Sequence, residues 1–507
     1  MKNIKITVLL AVLLLCRSWL FADVSLPSII SSNMVLQQNT QAPLWGWADA
    51  GEKISISASW LNNNITTVAN PQGEWMVKLR TPTAGGPYKI IINGNNSIVL
   101  DNILSGEVWF ASGQSNMAMA VEKCNNADEE IATANYPNIR LFHVTRKWAD
   151  KPQQDCDGYW AETTPETIKK FSGVAYFFGR KLYNELNVPI GIISASKGGS
   201  PIESWMAEEV LKSDPDFDAI FEMWKKWEAE YPEVNKKYQK ELALWQKQKD
   251  ANQGQVLAKI PARPMAVHQI NRPHKRPSHN YNGMVAPIIP FAIKGVIWYQ
   301  GESNVNRPTQ YIKLFQTMIT SWRKGWGEGN FPFYFVQIAP YRYKKSLVNA
   351  SLLREAQTKA LSLPNTGIIV TTDVGNIEDI HPKNKQAVGS RLALLALAKT
   401  YKFDNLVYTS PVYKLMKIEG NAIRLSFDNI GSGLTSKEEL LTDFEIAGAD
   451  QKFVKATAII DGATVVVSSD KVTNPVAVRF GWSIISEPNF FNKEGFPAAP
   501  FRTDNWE

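Results

Sequence analysis

Residues 107–117 read EVWFASGQSNM, a compact apolar run that breaks at Gly113 and delivers a serine two residues later. Four later runs share its character: PIGIISAS (189–196), KGVIWYQ (294–300), FYFVQIA (333–339) and GIIVTTD (367–373). Each is short and rich in Ile, Val or aromatic residues, as a strand buried on both faces requires. Stretches of helical period lie between them. In FSGVAYFFGRKLYNEL (171–186), Val174, Phe177, Phe178, Leu182 and Leu186 fall on one side. TQYIKLFQTMITSWRKGW (309–326) and NKQAVGSRLALLALAKTY (384–401) behave alike. Alternation of strand and helix over 106–405 predicts an α/β domain of three layers, a parallel sheet with helices on both faces.

On either side the pattern changes. Residues 23–105 hold short β segments such as KISISASWL, EWMVKL, YKIIIN and SIVLDNIL, punctuated by NPQGEW and TAGGPY. That rhythm predicts a small β-sandwich. Residues 406–507 return to β character with NAIRLSF, KATAIID, ATVVVSS and PVAVRFGW, forming either a separate sandwich or a partner of the first. An insertion over about 207–280 interrupts the α/β pattern. Its first part, rich in Lys, Glu, Trp and Tyr, reads as surface helices. The stretch to about 280, with four prolines and three histidines, reads as a loop.

The start of the chain combines Lys2 and Lys5, the apolar run ITVLLAVLLLC and the small Ala22, which together predict an export leader over residues 1–22. The run is short of the roughly 20 residues a membrane span needs. Leu15 before Cys16 is bulky for a lipoprotein site, so the expectation is a periplasmic or secreted protein without a lipid anchor. Removing the leader takes Lys2, Lys5 and Arg17 from the 55 basic residues and none of the 48 acids, lowering the net charge from +7 to +4. A surplus that small, with no basic stripe, argues against a nucleic-acid partner. Export would leave Cys124 and Cys156 in an oxidising compartment, where one disulfide or two buried thiols are both open readings. The expectation taken is the bridge, closing a segment of about 30 residues. No Cys/His spacing suggests a metal site.

Ligands of open α/β sheets bind beyond the C-terminal ends of the strands. Four polar segments fall there. Gly113-Gln114-Ser115-Asn116-Met117 places Ser115 on the turn leaving a strand, where a hydroxyl is exposed as a nucleophile. SASKGGSPIE (194–203) brings paired glycines whose N–H groups a ligand can approach. WYQGESN (298–304) crowds Gln300, Glu302 and Asn304 at one strand end, and an asparagine amide can donate to an oxyanion. Asp379-Ile380-His381-Pro382 holds the one histidine of five with a carboxylate beside it at a strand end. Asp379 shares a face with His381 on an extended segment, and Glu378 is the competing partner. A nucleophile, a base, an orienting acid and oxyanion donors on separate strand ends make a serine-hydrolase constellation. The plain alternative for each segment is an ordinary polar turn.

The blocks VWFASGQSNM, GGSPIESW, YNGMVAPIIPFAIKGVIWYQGESN and DIHPKNKQAVGSRLAL resemble the signature blocks of the sialate O-acetylesterases, a branch of the SGNH hydrolases. The resemblance implies a flavodoxin-like α/β/α fold and an esterase removing O-acetyl groups from a carbohydrate, most specifically sialic acid, without cofactor or metal. It assigns Ser115 as nucleophile, His381 as base, and the N–H groups of Ser115 and Gly199 with Asn304 as oxyanion donors. Gln114 and Glu378 stand where the wider superfamily carries acids, so Asp379 is taken as the orienting acid, with a Ser–His dyad as the alternative. Gln114, Asn116, Gln300, Glu302 and Arg354 are taken as substrate contacts. Lys197, Arg307 and Arg354 are the cations positioned for a sugar carboxylate. Two other readings remain: an acetylesterase of plant xylan or pectin, and a non-catalytic carbohydrate-binding protein using its 17 tryptophans.

Overall fold

The structure, a computed structural model, describes residues 23–251, 259–343, 349–438 and 440–506; the expected leader over 1–22 lies outside them. The N-terminal region forms strands β1 (Val35–Gln37), β2 (Gln41–Trp47), β3 (Lys53–Ala58), β4 (Ile65–Val68), β5 (Glu74–Arg80), β6 (Gly85–Asn93) and β7 (Ser97–Gly113). β2 pairs with β5, while β4, β3, β6 and β7 pair in that order and β1 lies parallel to β7. β5 buries every second residue (Trp75, Val77, Leu79) against Ile54, Ile56, Ile90 and Ile92 of β3 and β6, which gives the two layers one core.

β7 is 17 residues long and belongs to two sheets. Its first half pairs with β6; Glu107–Gly113 pair with strands of the α/β domain. Burial changes along it, mixed over Ser97–Asn102 and continuous from Ile103 to Gly113. One strand thus passes from a half-exposed sheet to one covered on both faces. The boundary read at 105/106 falls inside it.

The α/β sheet adds β8 (Tyr136–His143), β9 (Trp160–Thr163), β10 (Ile190–Ser196), β11 (Gly295–Tyr299), β12 (Phe333–Val336) and β13 (Thr366–Ile369), in the order β13-β12-β11-β7-β10-β8-β9. All neighbours are parallel except β9, antiparallel on β8. Val108 and Phe110 of β7 share a core with the helices Pro308–Trp326 and Asn349–Lys359. Trp109 and Ala111 face the opposite core, formed with the helices Gly173–Leu186 and Lys385–Lys399. The result is the three-layer α/β/α arrangement, with β7 central and the chain turning to either side of it.

The insertion is built around a 34-residue helix, Asp218–Ala251, which continues through Pro232 and buries Ile220, Trp224 and Tyr238. The Pro- and His-rich stretch behind it is not simply a loop. It contains a short helix, Met265–Ile270, whose Ala266 and Val267 are buried, and a 3₁₀ turn at Pro273–Lys275. The long helix braces this stretch: Tyr231 donates to Asn271 (2.9 Å) and Arg276 pairs with Glu228 (2.6 Å). Prolines at the flanks of so short a helix hide its period in the sequence.

The C-terminal region is a sandwich in its own right, two four-stranded sheets around a core that includes Ile423, Leu425, Val465, Ile446, Val478 and Phe480. Arg354 attaches it to the α/β domain. Its buried guanidinium donates to the carbonyls of Ile338 (3.2 Å), Ser483 (2.9 Å) and Ile484 (3.3 Å).

Cys124 and Cys156 are not bridged. They are buried in different cores, Cys124 against the Gly173–Leu186 helix face and Cys156 beside Trp160 on the other side. Nearness along the chain misled here, because the intervening segment crosses the sheet. Burial pushes the Cys124 thiol up to about 11 and Cys156 up to about 12, so neither is a ready nucleophile. Protein lacking residues 1–22, purified without reductant, is expected to show two thiols reactive to Ellman's reagent after unfolding and almost none before; fewer than two after unfolding would reinstate the bridge.

Candidate active site

The ends of β7, β10 and β11 meet at one edge of the sheet. Gly113 closes β7 at φ +142°, and a Cβ there would collide with the carbonyl oxygen of Tyr299 on β11. That same carbonyl accepts the N–H of Gln114 (2.9 Å), so the turn is pinned to the neighbouring strand. Ser115 opens a one-turn helix, Ser115–Ala118, half-buried while Asn116 and Met117 beneath it are buried. Ser172 holds this turn by donating to the Met117 carbonyl (2.6 Å). From β10, Gly198 lies against the serine: a Cβ built on it would stand 3.2 Å from Ser115 Cβ. Gly199 adopts φ +73° and faces the Nε2 of His274 at 3.9 Å from the same construction. Of the glycine pair, Gly198 therefore packs against the serine and Gly199 turns towards the histidine.

Asn116 ties the site together from below. Its amide donates to Glu302 (2.6 Å) and to the carbonyl of Ile380 (3.0 Å), and its oxygen accepts from Lys385 Nζ (2.6 Å). Ile380 precedes His381, so the residue after the serine is bonded to the residue before the histidine. Burial pushes the Glu302 carboxyl up and the Lys385 ammonium down to about 8. Lys385 also stands 5.2 Å from the centre of the Tyr299 ring.

Asp379 and Glu378 separate clearly. Asp379 Oδ1 accepts the backbone N–H of His381 (2.9 Å), an Asx-type turn, and lies 3.7 Å from His381 Nδ1. Glu378 instead takes Arg342 through both Nε (3.1 Å) and Nη2 (2.8 Å). Of the two acids, Asp379 is the one that lies beside the imidazole. Burial holds the His381 pKa below its ordinary value, Asp379 pulling it back up and Lys385 pushing it further down.

Several expected substrate contacts lie under the site instead. Gln300 is buried, its amide spent on Ser200 O (3.3 Å) and Asn304 Oδ1 (2.7 Å) and its oxygen on Tyr311 (3.0 Å). Gln114, also buried, accepts from Ser303 N (3.3 Å). With Asn116 and Glu302, these side chains link the strand ends rather than face a ligand. Arg354 is spent on backbone carbonyls, and Arg307 pairs with Glu203. Asn304 accepts from Ile202 N (2.9 Å) and gives one amide hydrogen to Glu203 (3.0 Å).

The family model for carbohydrate esterases of the sialic acid-specific acetylesterase type matches residues 105–250 and 265–398. The chain belongs to this family. It is a carboxylic ester hydrolase acting on an acetylated carbohydrate. It is 31% identical to the sialate O-acetylesterase of Rattus norvegicus over 79% of this chain and 78% of that one. It is 28% identical to that of Pongo abelii over 94% and 91% of the respective chains. The crystal structure of a carbohydrate acetylesterase from Xanthomonas citri superposes with a TM-score of 0.80 at 35% identity, covering 95% of this chain and all of that one.

Two parts of the esterase's site were not foreseen from its sequence. Lys385 and Glu203 are distant in sequence from the residues they hold, although both sit inside the quoted blocks DIHPKNKQ and GGSPIESW. His274 comes from the insertion, and the glycine–histidine approach has no local signal. Among the described residues, no cluster of three or more His, Cys, Asp or Glu is arranged to hold a metal ion.

A general base at His381 has to be neutral to accept a proton, so with that assignment the acid limb of kcat/KM against pH is expected below the ordinary histidine value of about 6.5. Removing the anion that raises its pKa (Asp379→Asn) should move the limb to lower pH and reduce kcat. Removing the cation that lowers it (Lys385→Met) should move the limb to higher pH. Shifts of the same sign, or none, would assign the limb to another group.

Proposed function

We propose that this esterase removes O-acetyl groups from sialic acid through an acetyl-serine intermediate on Ser115. The observation that carries the catalytic part is the Asn116 bridge, which fixes the Ser115 turn to the His381 loop across separate strand ends. The relatives named as sialate O-acetylesterases, matched over most of both chains, support the substrate. His381 takes the proton of Ser115 as the hydroxyl attacks the acetyl carbonyl, and Asp379 orients the imidazole. The oxyanion is received by the N–H groups of Ser115 and of the Gly198–Gly199 pair, with the second amide hydrogen of Asn304. The sugar hydroxyl leaves with the proton from His381, and water then hydrolyses the acetyl-enzyme. The leader-like residues 1–22 support export, so the sugars met are those outside the cytoplasm.

Ser115→Ala and His381→Ala should each lower kcat by at least about 10⁴-fold on O-acetylated sialate, with the fold retained by circular dichroism. Near-normal turnover in either folded variant would remove that residue from the mechanism. Asn304→Ala should cost about 10²–10³ in kcat with little change in KM. A change in KM alone would make Asn304 a substrate contact.

A further inference from the structure

Beside the glycine pair stands a group of cations that the mechanism does not use. Lys197, immediately before Gly198, holds its ammonium 5.3 Å from the centre of the Trp148 ring. Trp148 lies 5.9 Å, ring to ring, from His274, the imidazole that faces Gly199. Arg272, in the braced stretch of the insertion, is bonded to His268 (3.0 Å), and its charge acts on both Lys197 and His274. Arg146 reaches the same place from the loop after β8, donating to the Ser196 carbonyl (3.2 Å), and Lys275 completes the group.

What distinguishes these cations is that, among the described residues, no ion pair reaches Arg146, Lys197, Arg272 or Lys275, although Glu203 acts on Lys275 through space. The nearby acids are occupied elsewhere. Glu203 pairs with Arg307 and accepts from Asn304, Asp150 faces His279 (3.1 Å), and Glu228 holds Arg276 (2.6 Å). The indole N–H of Trp148 is enclosed and has no acceptor in the protein. Like charges brought together beside a reactive serine, with an unanswered donor among them, are costly for the empty protein and favourable only once an anion arrives.

We propose that Arg272 and Lys197, with Arg146 and the Trp148 N–H, form a subsite for the carboxylate of an acetylated sugar acid. The subsite sits across the glycine pair from Ser115, so the insertion selects the substrate while the strand ends cleave it. The inference rests on the esterase reading above and adds the group of the substrate that is recognised. A carboxylate can come from sialic acid or from a galacturonate unit, and both offer the same chemistry to a guanidinium fork. His274, kept well below its ordinary value at about 4 by burial and the surrounding cations, stays neutral there and is free to bond a sugar hydroxyl.

The test compares kcat/KM for O-acetylated N-acetylneuraminic acid with its methyl ester, which has no carboxylate, and with O-acetylated galacturonate and xylose. The wild-type protein should prefer the free acid to its methyl ester by about 10-fold or more at low salt, a preference that weakens as salt screens the charges. Arg272→Gln and Lys197→Gln should each bring that ratio towards one, mainly through KM, while Arg272→Lys should keep most of it. An acid-to-ester ratio unchanged in both glutamine variants would overturn the subsite while leaving sialate as the substrate. Faster cleavage of acetylated xylose than of either sugar acid would overturn the subsite and the sialate reading together. Preference for galacturonate over sialate, lost in Arg272→Gln, would uphold the subsite and replace the sugar.

Discussion

A single buried amide governs the geometry of this active site. Asn116 has a donor group and an acceptor, and it uses them on three partners in two chain segments far from it in sequence: Glu302 after β11, and Ile380 in the histidine loop with Lys385 at the head of the helix that follows it. Removed from water, such a group must find partners inside the protein, and leaving any one unmade would cost the desolvation of that group. Ser115 is next to it in the chain and inherits its position. The charges flanking the amide are themselves strained by burial, Glu302 towards its neutral form and Lys385 down to about 8, so the bridge between them has to be kept intact.

The constraint extends outward along β7. Because one strand runs from the N-terminal sandwich into the centre of the sheet, the sandwich cannot move without moving the turn that carries Ser115. Glu107, buried where the two halves of β7 meet, accepts from Gln37 (3.2 Å), Gln38 (2.7 Å) and Tyr401 (3.0 Å), joining the sandwich to the end of the last helix of the α/β domain. The C-terminal sandwich is held differently, by the Arg354 fork on carbonyls and by Arg502 on Glu355 (3.0 Å). It has its own core and sends Ile484 into that of the α/β domain, whereas the N-terminal sandwich shares that core throughout.

The strands and the serine turn were legible because their signals are local. A continuous apolar run ending in a glycine predicts β7 and its turn without knowledge of any neighbour, whereas the segment expected to be extended at Asp379 is an Asx-type turn ten residues beyond the end of β13. Partner choice was not legible. Glu378 and Asp379 are adjacent, and only the arrival of Arg342 from another loop decides between them. Arg354 looked like a substrate cation because its partners, three carbonyls, carry no sequence signature. Gln300 and Glu302 looked like ligand contacts for the same reason: polar groups at a strand end are required either by a substrate or by the neighbouring strand end, and a sequence does not say which. The cysteines failed by the opposite route, since separation along the chain carries no information about which face of a sheet a segment reaches.

Attraction of an anion and activation of a histidine make opposing demands on charge, and the fold meets them by distance. A cation next to the base lowers its pKa and keeps it ready to accept a proton at lower pH, but too strong an effect would make it a poor base. Burial lowers the His381 pKa and Lys385 adds to this from below, while Asp379 pulls the other way at 3.7 Å. His274 has no such acid, and burial together with Lys197, Lys275 and Arg272 drives it to about 4. Burial lowers both histidines, and their neighbours then separate them: the one with a carboxylate beside it is pulled back up, and the one among cations is pushed further down and stays a neutral partner for a hydroxyl. The insertion can therefore collect positive charge on the far side of the glycine pair while the base keeps its carboxylate counterweight, and that spatial division lets a cationic binding surface and a titrating base coexist beside one serine.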